Sequence, residues 1–118
     1  MSIPVTGNDV PARLEEYGSA AFLVTVSVDG SAKVVHVPVV WDASTGAFRC
    51  MPGGGTLRNL TDPGPVTLVF PPPEDGDFSM LVDGIGRVAG DGEAAEVEFV
   101  GGVLHRPALS APGDQVDC

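Results

Sequence analysis

The groups in this 118-residue chain that are best suited to chemistry fall in one short run, Gly53-Gly54-Gly55-Thr56-Leu57-Arg58-Asn59. Glycines leave backbone N–H groups uncovered, Thr56 offers a hydroxyl and Arg58 a planar guanidinium, a set that can hold an oxyanion such as a phosphate. A helical turn is predicted over 56–61, stopped by Asp62-Pro63-Gly64-Pro65, and the apolar strand 66–70 follows. Each of these residues also has a plainer use. Arg58 can pair with Asp62 across one helical turn, Thr56 can cap the helix, and the Asn59 amide can satisfy backbone in the turn. His36 stands in an apolar run, where it either meets a ligand or serves as a hydrogen-bonded core or interface residue. Arg49 suits a phosphate or a surface acid equally well. No nucleophile stands out, because the Ser, His and Asp residues form no elbow motif, and two histidines without an acidic cluster give no metal site. The set of catalytic side chains is empty.

The elements that must position this run read mainly as strands. A short helix is predicted near Asp9, with Pro11 in its first turn, Leu14 and Tyr17 on one face and Gly18 as its stop. The β-branched run 20–28 closes at Asp29-Gly30. Residues 32–41 form a second strand whose two faces are both largely apolar, so it should be covered on both sides, with Pro38 marking an edge or a bulge. A third strand, 47–51, completes a meander. After the strand 66–70, a fifth runs over 78–89 and is interrupted at Asp83-Gly84-Ile85-Gly86, as at a barrel corner. Residues 95–99 alternate as a half-exposed strand, with a helix over 93–100 as the rival reading. Gly101-Gly102 signals a hairpin into 103–106. Six or seven strands with one or two short helices predict a mainly β, antiparallel split or closed barrel, with a sandwich as the alternative. One domain should span 1–110, followed by a tail over 111–118.

The totals narrow the partners. Sixteen acidic residues against six basic ones give a formal charge of −10, and Lys33 is the single lysine. Such a surface repels nucleic acid and anionic membranes, since no basic stripe can release counterions. A small anionic cofactor needs a local reversal of sign at an arginine, among them Arg49, Arg58, Arg87 and Arg106. Cys50 and Cys118 have no metal-ligand spacing and are not expected to form a structural disulfide. The opening residues lack a basic and an apolar signal region, and no window is long enough to span a membrane, which predicts a cytoplasmic protein. With 43% hydrophobic residues but few aromatics, the core should be Val, Leu and Ala around Phe22, Phe48, Phe70, Phe78 and Phe99.

Set in order, these words resemble the pyridoxamine-phosphate-oxidase-like, flavin-binding split-barrel family. The resemblance is carried by the entry helix ending Leu14 to Gly18, Phe22-Leu-Val-Thr-Val before Asp29-Gly30, and Val37-Pro38-Val39-Val40-Trp41. It continues through Asn59-Leu60-Thr61-Asp62-Pro63, Val66-Thr67-Leu68-Val69-Phe70, and Met80-Leu-Val-Asp-Gly84 to Arg87, covering residues 11–89. It implies a homodimer with FMN, or a deazaflavin, at the subunit interface, transferring hydride to or from a small organic substrate. Main-chain groups of His36, Val37, Pro38 and Val39 would touch the ring, and Met51, Thr56, Arg58 and Asn59 would lie at the phosphate, with Arg49 a further candidate. Many relatives carry a serine and then a lysine or arginine just before the Asn-Leu pair, where this chain has Gly53, Gly54 and Gly55, with Thr56 at the usual basic position. Pyridoxamine-phosphate oxidase activity itself is not expected, and the alternative is a non-catalytic dimer that binds a cofactor without turnover or has lost the site.

Overall fold

The structure, a computed structural model, describes residues 2–107; the tail expected over 111–118, and Cys118 with it, lies outside the described residues. Eight strands build one antiparallel sheet: β1 (Ser2–Val5), β2 (Ala20–Val26), β3 (Ala32–Pro38), β4 (Val40–Asp42), β5 (Ala47–Cys50), β6 (Gly64–Phe70), β7 (Ser79–Val88) and β8 (Ala95–His105). A 3-10 turn leads into α1 (Val10–Tyr17), and α2 (Gly54–Asn59) lies between β5 and β6. The protein is mainly β and forms a split barrel, as the turn spacing predicted.

The sheet runs in the order β3-β2-β6-β7-β8-β5-β4, and its two ends, β3 and β4, flank the single residue Val39. Segment 32–42 therefore pairs with β2 through its first half and with β5 through its second, curling the sheet back toward its start. Pro38 is the last residue of β3 and has no N–H to extend the ladder. Val39, next along, is buried and donates its N–H to the Ser19 carbonyl at 2.7 Å. The expected meander thus holds in its pairing, but its middle strand is broken in two.

β8 is the seam of the barrel. β7 follows it along one side, while on the other β5 pairs with Ala95 through Glu98 and β1 with Gly102 through His105. Asp83 pairs with Gly101 but Gly84 with Phe99, so the bulge expected near Gly84 exists, with Val100 on the partner strand as its extra residue. The hairpin expected at Gly101-Gly102 does not form. Both glycines lie inside β8, and the helical alternative over 93–100 gives way to strand.

Inward positions alternate with a period of two and make one core: Ala21 and Leu23, Val66, Leu68 and Phe70, Met80 and Val82, with Val97, Leu104 and Phe48. Only Phe48 and Phe70 of the five phenylalanines are fully buried. Phe22 is instead 36% exposed on the outer face, stacked on His36. The expectation that segment 32–41 is covered on both faces also fails within one chain, since Val34 and Val40 are 56% and 68% exposed. α1 is placed by Val10 in the core, and Tyr17 donates its hydroxyl to the Phe78 carbonyl at 3.0 Å. No helix among the described residues is long and apolar enough to cross a membrane.

Candidate anion-binding site

The helical turn expected over 56–61 begins two residues earlier, so Gly54 and Gly55 form the first turn of α2 rather than a loop. Glycine disfavours helix by roughly 1 kcal/mol per residue relative to alanine, so local propensity does not make this helix. Tertiary packing does. Thr56 and Leu60 are buried against the barrel, Leu57 is packed beside them, and Asn59 Nδ2 donates to the buried Thr25 Oγ1 of β2 at 3.0 Å. Gly53 precedes the helix at φ 102, a left-handed conformation open to glycine at little cost.

This seat decides which of the expected phosphate ligands are free. Asn59 is committed to Thr25, and the Thr56 side chain is 1% exposed, its hydroxyl oxygen buried without a hydrogen-bond partner. Thr56 also does not cap the helix, because it lies inside the first turn. Arg58 does reach the surface. The alternative pairing of Arg58 with Asp62 is not formed; among the described residues no carboxylate oxygen comes within 4 Å of its guanidinium. The guanidinium lies back along the helix, with one terminal nitrogen 3.5 Å from where a Gly54 Cβ would stand.

Lys33, which the resemblance does not assign, reaches the same turn from β3. A Cβ on Gly55 would meet its Cε at 2.8 Å and its Nζ at 3.1 Å. The other four basic residues are paired: Arg13 with Glu16, Arg49 with Asp91 at 2.6 Å, Arg87 with Glu96 and Glu98, and Arg106 with Asp77. Lys33 and Arg58 are thus the two cations without an ion pair among the described residues, and both rest on adjacent glycines. The strand pattern held a signal for Lys33, which shares a face with Val35 and Val37 and lies next to the β2–β3 turn.

The remaining candidates separate. His36 is on the outer face of β3, its ring 4.5 Å from that of Phe22 and inclined by 19°. Val37 and Val39 turn their side chains into the core, Pro38 is exposed, and β3 is an end of the sheet path, so its far edge presents main-chain groups. Met51 is 63% exposed on the connection into α2. Arg49 belongs elsewhere, lining a cleft with Trp41, Asp42 and Glu96. A separate cleft of 740 Å³ is lined by Arg58 together with Val26, Val28, Asp62, Gly64 and Val66.

The rim of that cleft is shaped by the β2–β3 turn, whose carboxylate is unusually acidic. The Ser27 hydroxyl and the Ser31 N–H both donate to Asp29, holding its pKa down at about 2. A folded pKa below the unfolded value means the turn is stabilised above about pH 4 and loses that contribution as pH falls through about 2. The Ser31 amide resonance should therefore titrate with a midpoint near 2 in the native protein. A midpoint near 4, or a titration that survives in Asp29→Asn, would show that the bonds are not made. Comparison with known proteins returns no matching family model and no matching curated protein, so the residues themselves carry the reading of the site.

Proposed function

We propose that this chain is a cytoplasmic split-barrel oxidoreductase that works as a homodimer, holding FMN or a related deazaflavin and passing hydride to or from a small organic substrate. One observation supports it above the others. In a chain of net charge −10, Arg58, which meets no carboxylate among the described residues, lies on a glycine turn beside a 740 Å³ cleft, within the range of small-molecule sites. Arg58 would grip the phosphate, and the main-chain groups on the open edge of β3, around His36 and Pro38, would orient the ring. The bound cofactor itself supplies the hydride chemistry, so no catalytic side chain is required.

The homodimer is supported by the outer face of the same sheet. Val26, Val34 and Val100 are each more than half exposed, beside the stacked Phe22 and His36. A face this apolar suits a second copy of the chain better than water. The second reading, a dimer that binds a cofactor without turnover or has lost it, draws support from Thr56 and Asn59. Their polar groups are buried or already bonded.

Titration with FMN and with a deazaflavin, followed by absorbance and fluorescence, separates a chain that holds a flavin from one that has lost the site. Saturable binding by either is expected, and Arg58→Ala should weaken it by about 1.5–3 kcal/mol, the size of a charge-assisted hydrogen bond. Flat titrations at tens of micromolar would remove the flavin reading. An affinity unchanged in Arg58→Ala would return the arginine to the surface.

A further inference from the structure

We infer that the apolar cleft around Asp83, on the outer face of the sheet, is a binding site for a small hydrophobic ammonium ion. The site goes beyond the cofactor reading and does not depend on it, and no reaction is assigned to it.

Asp83 stands among apolar neighbours. In the cross-strand register Thr67 of β6 lies between Val24 of β2 and Asp83 of β7, with Gly101 of β8 beyond. Leu81 and Ile85 flank Asp83 on the same side of the strand and pair with Val69 and Pro65. A charge on an apolar sheet face can serve simply to keep copies of a chain apart, a role that needs no fixed geometry. This carboxylate is tied down. The Thr67 hydroxyl donates to its Oδ1 at 3.1 Å, and among the described residues no cation pairs with it.

The bulge gives the site its shape. The register shift after Asp83 leaves Val100 outside the ladder and 63% exposed, and a bulge is a device for re-aiming one side chain. Val100 lines a cleft of 390 Å³ with Val24, Val26, Ile85, Thr67 and Asp83. Small-molecule sites have this make-up, apolar walls with a few placed polar groups. Here the Thr67 proton is already committed, so the side chains offer a ligand only acceptor oxygens and a negative charge. That selects a donor with a positive charge, and the hydrocarbon walls select an apolar body behind it. A protonated amine makes a charge-assisted hydrogen bond, which a neutral alcohol does not, and an anion is repelled. The net charge of −10 raises the local concentration of cations further. A metal ion fits less well, because no cluster of three metal-ligating side chains exists among the described residues.

The test uses three probes with nearly the same body: 2-phenylethylammonium, neutral 2-phenylethanol and anionic 3-phenylpropionate. Each is titrated into the isotope-labelled protein while the amide resonances of Asp83, Ile85 and Val100 are followed, with self-association measured by sedimentation in the same samples. The ammonium ion should shift these resonances saturably, the alcohol should bind about tenfold or more weakly, and the propionate should not bind. Asp83→Asn keeps an acceptor for Thr67 and should lower the ammonium affinity to that of the alcohol, leaving the alcohol unchanged. Asp75→Asn removes the same charge from an exposed loop and should alter neither. Equal binding of ammonium and alcohol, or equal losses in the two variants, would overturn the site, the second outcome pointing to the general field of the protein. If no ammonium binds at millimolar concentration while Asp83→Asn strengthens self-association, Asp83 only guards the face against a second copy and the site is likewise overturned. None of these outcomes bears on the flavin titrations, so each reading fails separately.

Discussion

Replacing Phe70 with alanine should lower the unfolding free energy by about 3–5 kcal/mol, the usual loss for a large aromatic removed from a close-packed core. Phe70 is fully buried at the end of β6, and its ring lies 6.1 Å from that of Phe48. Phe48 in turn lies 4.8 Å from Trp41, and Trp41 meets Phe99 edge-on at 6.1 Å. This aromatic row joins β6, in the middle of the sheet path, to β4 at its far end. It fills the space that the curling of the sheet encloses. Deleting its buried end leaves a cavity that rigid strands cannot collapse around. Trp41 is the only tryptophan, so its fluorescence during urea unfolding reports the result directly. A loss below about 1.5 kcal/mol, the range of volume-conserving core changes, would mean that the barrel is not closed around this row.

The parts of the fold that local chemistry determines were legible in the chain. The β-branched run of β2 and the Asp29-Gly30 turn encode a hairpin through backbone sterics and a left-handed glycine, and the hairpin is there. The parts settled by distant neighbours were not. Gly101-Gly102 reads as a turn because glycine doublets are turn formers, but in the fold β8 runs straight through them, with β7 on one side and β1 on the other. β1 itself, four residues containing Pro4, offers no alternation to read and exists because β8 has a free edge there.

The site divides in the same way. Residue types marked Arg58, Thr56 and Asn59 correctly as neighbours on one turn, but burial decides what each can do, and burial is a property of the packed barrel. Thr56 turns inward and Asn59 finds Thr25, 34 residues away in the chain. Arg49 finds Asp91 at a separation of 42. Lys33 lies 22 residues before Gly55 in sequence, and only the seating of α2 against the β2–β3 hairpin brings them together. Sequence chemistry located the turn. Tertiary packing chose its free cations.

A close approach of two backbones in the barrel gives the second large effect. Gly84→Ala should cost about 3 kcal/mol or more, at the upper end of what overpacking does. A Cβ at this position would stand 2.5 Å from the Glu98 carbonyl oxygen and 2.6 Å from Val97 Cγ1. The second contact can be relieved by a rotamer change, but the first cannot. Glu98 is a ladder residue of β8, paired with Ile85 on one side and Ala47 on the other, so its carbonyl moves only if the seam opens. Gly84 also adjoins the register shift that leaves Val100 outside the ladder, and both residues line a 390 Å³ apolar cleft with Val24 and Val26 on the outer face. Opening the seam would therefore disturb the surface proposed to receive a second subunit, and the variant should show a lower melting temperature together with weaker self-association. Gly90 is the control, since a Cβ there meets nothing within 4 Å and its φ is not positive. Gly90→Ala should stay within about 0.5 kcal/mol of wild type. Equal stability of the two variants would show that β7 and β8 do not approach each other this closely.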